Sequence, residues 1–371
     1  MIDIIYKNRD LITNNSDLEL LYCIKDFPCF MGTTLESITL DLANDLNFFV
    51  SKSSGLVQID PIFPPKIVYK HSHYSGEIGK AWHDHHVSFS DFIKKYNPKS
   101  VLELGSGHGL LKSFFNKEIS WLMVDPNISS SEGISSFFNE EIDIESYSID
   151  TVVHSHFLEH VLDINSFLSI LNKKLAIGSR VIFSIPNLKS MIKKYYTNVL
   201  NFEHTFLITE EYIEYLFNRS NFKLIECVYY QECHSIFYAF KKQVCDHYLE
   251  LDKGLYYKNK QLIEEYFQHL VDYIKVLNFK LQDEQDFYIF GAHVFSQFLI
   301  KLGLNTGNLL FVLDNNVKKQ KQRLYGTSFY VESPEILRNK ESPIVIINAG
   351  YFTNEIKEDI IKNINPSTRF I

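Results

Sequence analysis

KSVLELGSGHG, residues 99–109, reads as a short apolar strand that runs straight into a glycine turn. Gly105 and Gly107 let the backbone turn tightly and approach a ligand where a side chain would collide, and a helix with free N–H groups is expected to follow. The next apolar run, WLMVD at 121–125, ends in Asp125, 22 residues after Glu103. A carboxylate in that place can take both hydroxyls of a ribose. Upstream, Phe89, Phe92 and Ile93 mark an amphipathic helix ending before Pro98. Downstream come a strand at 149–157, a helix at 165–175 and a strand at 179–186. Strands separated by helices imply crossover connections and a mainly parallel sheet. The runs 222–232 and 234–242 follow each other too closely for a crossover and predict an antiparallel edge hairpin.

Outward from this core the pattern divides the chain. Residues 1–85, with Pro61, Pro64 and Pro65 in one stretch, are expected to form an irregular N-terminal domain that covers a substrate. The core spans 86–243. Helical spacing of Tyr248, Leu251, Leu255, Leu262, Tyr266, Leu270, Tyr273 and Leu277 predicts a helix or helical pair as connector over 244–283. At 284–371 strand and helix alternate again, so a second, smaller α/β unit is expected there.

With 45% hydrophobic and 22% charged residues, the chain of 371 residues is excluded from the disordered, collagen-like and coiled-coil classes. A net charge of −8 repels polyanions and argues against a nucleic-acid partner. Five sparse cysteines suit a reducing compartment. Asp3, Lys7 and Arg9 interrupt the N-terminal apolar residues before a signal-peptide core forms, and no apolar run is of membrane-spanning length. A cytoplasmic protein without a membrane partner is expected. Nothing in the sequence sets the oligomeric state.

A dinucleotide fingerprint needs glycine at position 110, which is Leu110; the third glycine is Gly109. The spacing E-x-G-x-G-x-G, from Glu103 to Gly109, resembles instead motif I of class I S-adenosylmethionine-dependent methyltransferases. The resemblance implies an α/β fold with a Rossmann-like core and S-adenosyl-L-methionine as cofactor, leaving S-adenosyl-L-homocysteine. It implies cofactor contacts from Glu103, Gly105, Ser106, Gly107, Gly109 and Asp125. HSHFLEHVLD, 154–163, resembles the segment facing the methionine end of the cofactor, which adds Ser155 and His156. Glu159 and His160 are expected to cap or anchor the next helix.

Residues 185–225 resemble a narrower group, the three-part methyltransferases of nucleotide-linked sugars, among them sugar C-methyltransferases. Pro186, Asn187 and Leu188 match its P-N-L, and Glu203 and His204 match the end of its Y-H-E-H. Asn221 stands where glycine precedes phenylalanine and tolerates the same left-handed backbone. FGAHVFSQ (290–297), VLDNNVKKQ (312–320), YGTSFYVESPEIL (325–337) and NAGYFTNEI (348–356) resemble successive stretches of that group's last domain, which is expected to act as a nucleotide-gripping lid.

Two departures shape what the resemblance implies. The group often begins with a zinc module of two Cys-x-x-Cys pairs, and Cys23 and Cys29 alone cannot supply four ligands. The chain is similar to a zinc-less branch, with DFPCFMG (26–32), SGLVQIDPIFP (54–64) and HYSGEIGKAWHDHH (73–86), and no metal is expected. The clustered His71, His73, His83, His85 and His86 are read as polar, capping or substrate-covering groups. Second, Asn201 and Phe202 replace the Tyr and first His of Y-H-E-H, groups suited to proton chemistry at carbon. This favours methylation of a hydroxyl on a nucleotide-activated sugar, such as a GDP-linked heptose or deoxysugar, for capsular or other bacterial surface polysaccharide. His204 is the expected general base, since imidazole titrates near neutral pH, and Glu203 a sugar ligand or second base. Tyr69, Tyr74, His83, His86, Asn187 and Asn201 are the expected substrate-binding residues. C-methylation of a keto-sugar is the alternative; an NAD-dependent sugar oxidoreductase or a non-catalytic sugar-nucleotide-binding protein are alternatives of other classes.

Overall fold

The computed structural model describes residues 4–69, 80–107, 109–129, 131 and 133–371. The N-terminal part is more regular than expected. Its strands β1 (Leu18–Pro28), β3 (Ala43–Ser51) and β4 (Val57–Ile59) form an antiparallel sheet in the order β1-β3-β4. Asn44, Asp45 and Asn47 interrupt the apolar alternation of β3, and this hid the strand in the sequence. The short β2 (Thr33–Thr34) leaves this sheet to pair elsewhere. Helices α1 (Pro65–Val68) and α2 (Lys80–Lys94) lead into the core.

The core sheet holds β5 (Ser100–Leu104), β6 (Ser120–Val124), β7 (Thr151–Ser155), β8 (Arg180–Pro186), β9 (Phe222–Tyr230) and β10 (Ser235–Lys242). Their order is β6-β5-β7-β8-β10-β9; the first four strands are parallel, and β10 is antiparallel to both its neighbours. Helices α3 (Ile164–Lys174), α4 (Leu188–Lys193) and α5 (Glu210–Arg219) flank it. Between β5 and β6, and between β6 and β7, the described residues hold only 3-10 turns, Leu111–Phe114 and Glu145–Tyr147. The helix expected after the glycine turn is therefore absent from the described residues. From 126 to 139 the chain is rich in Ser, Asn, Pro and Gly, residues that favour turns over helix.

One helix, α6 (Leu255–Leu281), forms the connector. Its Ile263, Tyr266, Phe267 and Leu270 join the large core shared with the N-terminal sheet, where Phe267 stacks on Tyr22 at 3.8 Å. Ile274, Leu277 and Leu281 join the core of the C-terminal unit. That unit contains β11 (Phe287–Phe290), α7 (Val294–Lys301), β12 (Leu309–Leu313), β13 (Arg323–Leu324), β14 (Val331–Glu332), β15 (Ile344–Ile347), α8 (Thr353–Asp359) and β16 (Arg369–Phe370). Its parallel sheet runs β14-β12-β11-β15-β16.

The ends of the chain are tied together. β2 pairs with β13 in a two-stranded sheet, and the buried Arg323 guanidinium donates to both carboxylate oxygens of Asp41, at 2.6 and 2.8 Å. Gln297 Nε2 donates to the carbonyls of Phe30 and Tyr325, each at 2.9 Å. No helix among the described residues is long and apolar enough to cross a membrane.

Candidate active site

Strands β6 and β7 lie on opposite sides of β5, so the chain changes direction there and leaves a crevice at the carboxyl ends of β5 and β7. The glycine turn lines it. Gly105, Gly107 and Gly109 have φ of +66°, +53° and +70°, the left-handed region that a side chain disfavours. A Cβ on Gly105 would stand 2.7 Å from the Phe157 ring. A Cβ on Gly107 would meet nothing within 4 Å, so this glycine borders open space. The Gly107 N–H donates to Asp125 Oδ2 at 2.9 Å, and the Asn127 N–H to Asp125 Oδ1 at 2.7 Å. Each carboxylate oxygen keeps a further lone pair. Ser106 Oγ is buried and has no hydrogen-bond partner among the described residues. Open space, an unused hydroxyl and an acceptor pair on Asp125 fit the ribose and polar groups of an adenosyl cofactor; Gly105, Ser106, Gly107 and Asp125 would hold it.

Glu103 lies beneath this turn. Its Oε2 accepts from Trp121 Nε1 at 2.7 Å, and burial pushes its carboxyl from 4.5 up to about 8. As pH climbs, the unfolded chain releases this proton first, so stability falls between those two values and the loss is complete above the folded one. The shift corresponds to at most about 5 kcal/mol. Glu103→Gln is accordingly expected to raise Tm at pH 8.5 in the absence of cofactor and to leave it nearly unchanged at pH 4.5, read by thermal melts. An equal change at both pH values would remove the titration from the account.

A histidine-rich group is built on the other half of the crevice. Ser155 ends β7, pairs with Ser184 of β8 and is half-buried. His156 follows with φ +49°, its Nε2 2.8 Å from Ser235 Oγ and its Nδ1 3.4 Å from Glu159 Oε1. The expected capping role of Glu159 and His160 is overturned: Asp163 caps α3 by accepting from the Ser166 N–H, while Glu159 is 1% exposed in a 3-10 turn. Among the described residues neither Glu159 carboxylate oxygen has a hydrogen-bond partner, and burial pushes the group up to about 7.

His160, His204 and Glu159 offer side-chain atoms within 4.8 Å of one another, and the two imidazole rings lie 4.7 Å apart. Tyr69 joins them, its hydroxyl 2.8 Å from His160 Nδ1. His204 Nδ1 lies 2.9 Å from the Asn198 carbonyl oxygen, which only accepts. The proton therefore sits on Nδ1, and the neutral ring keeps its lone pair on Nε2. The loop carrying His204 is pinned to the N-terminal sheet: Ile59 N–H donates to Thr205 O at 2.7 Å and Leu207 N–H to Val57 O at 2.8 Å. Burial pushes the neighbouring Glu203 up to about 8, so at neutral pH it carries a proton it can donate.

Other expected substrate residues serve the backbone or stand apart. Asn201 Oδ1 accepts the N–H groups of Glu203 and His204 at 2.8 and 3.0 Å, and Asn187 caps α4 by accepting from Ser190 N–H. Phe202 is packed against Phe27 and Phe63. His86 Nδ1 bonds to the Trp82 carbonyl on its own helix, and His83 is exposed beside Asp84 and Phe114. Tyr74, His71, His73 and His108 lie outside the described residues. Sequence reasoning missed His234 and Ser235, which the turn before β10 brings to His156; no spacing links residues so far apart.

Known proteins resemble the middle of the chain. Residues 81–227 match the Methyltransf_23 family, described as "Methyltransferase domain". No curated protein matches. Among solved structures, 1,6-didemethyltoxoflavin-N1-methyltransferase from Burkholderia thailandensis is similar at 16% identity and TM-score 0.38, covering 51% of this chain and 95% of its own. A SAM-dependent methyltransferase from Archaeoglobus fulgidus is similar at 16% identity and TM-score 0.34, covering 46% of this chain and 100% of its own. The N-methyltransferase NodS from Bradyrhizobium japonicum is similar at 14% identity and TM-score 0.34, covering 46% and 91%. The family match spans the strands that hold the glycine turn, Asp125 and the His156 segment, and residues 81–227 thus match a methyltransferase domain built on a Rossmann-like core.

Proposed function

We propose that the protein methylates a hydroxyl of a nucleotide-linked sugar. The carrying observation is the His204 imidazole, whose Nδ1 is fixed on the Asn198 carbonyl so that Nε2 is a proton acceptor next to His160, Tyr69 and the buried Glu159. The choice of a sugar nucleotide rests on the ordered motif resemblance from Pro186 to the C-terminal unit. Bound on the glycine turn, S-adenosylmethionine supplies a methyl group on a sulfonium, which departs as a neutral thioether. His204 Nε2 takes the acceptor hydroxyl proton as the new C–O bond forms, and the Asn201 brace holds the loop that presents it. The protonated Glu203 donates to a sugar oxygen. Preference for oxygen over carbon is supported by Asn201, whose Oδ1 braces the loop, and by Phe202, packed on Phe63; neither side chain can move a proton.

The deciding experiment supplies S-adenosylmethionine carrying carbon-13 in its methyl group and a panel of GDP-, UDP- and dTDP-sugars, with products read by carbon NMR. An O-methyl resonance on a nucleotide sugar is expected. A C-methyl resonance would overturn the oxygen assignment, and turnover of sugar-free acceptors alone would overturn the substrate class.

A further inference from the structure

We infer that His85, His156 and His234 form a binding site for a divalent transition-metal cation of the zinc or cobalt type. One side-chain nitrogen of each lies within 4.8 Å of one from each of the others. The three come from separate elements, α2, the segment after β7 and the turn before β10, and meet at the carboxyl edge of the core sheet. His85 is fully buried; Ser184 Oγ holds its Nε2 at 2.8 Å, while its Nδ1 has no hydrogen-bond partner among the described residues. A buried ring nitrogen left without a partner is costly unless a ligand satisfies it.

The surroundings are those of a metal-ligating set. His156 turns Nε2 toward Ser235 Oγ, at 2.8 Å, and has Glu159 3.4 Å from Nδ1 on its other side. A carboxylate behind a ligating imidazole fixes its orientation and raises its basicity. His234 Nδ1 reaches the same Ser235 hydroxyl at 2.7 Å, which places an oxygen between two of the rings as a fourth donor. Trp82 stands against all three imidazoles, with ring centroids 5.3, 4.7 and 5.0 Å away, and shields them from water. The rings need to draw in by less than about 1 Å to reach the ~2.0–2.1 Å of a zinc–nitrogen bond. An imidazole set selects zinc, cobalt, nickel or copper over magnesium and calcium. The second group, Glu159 with His160 and His204, contains the imidazole proposed as the general base and offers two rings where the first offers three. The site departs from the sequence expectation of no metal, which weighed cysteine pairs and histidines within 71–86; His156 and His234 lie outside that window.

The test uses the full chain without an affinity tag, stripped with chelator and titrated with cobalt(II), with visible d–d absorption and elemental analysis as readouts. One cobalt per chain, displaced by zinc, is expected. His234→Gln should weaken cobalt binding at least about tenfold, whereas the exposed His83→Gln on the same helix as His85 should not change it. Adenosylhomocysteine affinity and circular dichroism report that His234→Gln remains folded. Absence of stoichiometric cobalt on the unmodified chain would overturn the site, as would cobalt absorption undiminished in His234→Gln. If that variant unfolds, imidazole-proton resonances of the unmodified chain that cobalt(II) leaves unshifted and unbroadened give the same refutation.

Discussion

His204→Asn is expected to lower kcat by about 10²- to 10⁴-fold while leaving S-adenosylhomocysteine affinity within a factor of two. The size follows from the role: a hydroxyl is a weak nucleophile until its proton has somewhere to go, and His204 Nε2 is the acceptor that the Asn198 carbonyl leaves exposed. The proposed cofactor crevice lies across the sheet edge at Gly107 and Asp125, so cofactor affinity would report whether the fold survives. Replacing His204 also cuts the bond from its ring to Asn198, but Asn201 still holds the loop through the backbone N–H groups of 203 and 204. Isothermal titration and initial rates on the same preparation separate the two effects. A fully active variant would move the base to His160 or leave transfer to alignment alone.

Asp125→Ala should weaken S-adenosylmethionine binding by about 1.5–3 kcal/mol, some 10- to 150-fold, the usual worth of hydrogen bonds to a charged group. Two losses add here. The ribose loses its carboxylate, and Gly107 and Asn127 lose the acceptors that shape the turn around it. Asp125→Asn distinguishes them, because the amide oxygen can still accept one backbone N–H while the charge is gone. An intermediate affinity is expected for Asn, and calorimetry showing wild-type affinity for Asp125→Ala would take this residue out of the cofactor site.

Local patterns carried much of the architecture into the sequence. SVLEL, SWLMV, TVVHS and RVIFSIP are short apolar runs with turn residues at their ends, and each is a strand of the core sheet. Asn221 has the left-handed backbone, φ +63°, expected where a glycine was missing. The N-terminal sheet was illegible for the opposite reason: polar residues in β3 and the departure of β2 to the C-terminal unit follow from tertiary pairing, not local preference. The site divides in the same way. The glycine turn and Asp125 lie within one strand-turn-strand unit and could be read together. The meeting of Tyr69, Glu159, His160 and His204, and of His85, His156 and His234, depends on which strand ends become neighbours. Only a motif singles out His204 and Glu203 in the sequence, and the brace that Asn201 Oδ1 gives their backbone N–H groups has no sequence signal, because a brace and a sugar contact call for the same amide.

The tie between β2 and β13 has a temporal meaning. Asp41 and Arg323 are 282 residues apart, so a ribosome adding roughly 5–20 residues per second makes the guanidinium on the order of 15 to 60 s after the carboxylate it will bury. During that interval Thr33 and Thr34 lack the strand they pair with, and Asp41 lacks the guanidinium that neutralises it. The segment around Asp41 reaches its final packing only after Arg323 has been made. Slowing translation between 283 and 323 is therefore expected to lengthen the period in which the N-terminal edge is open to proteases and to other nascent chains.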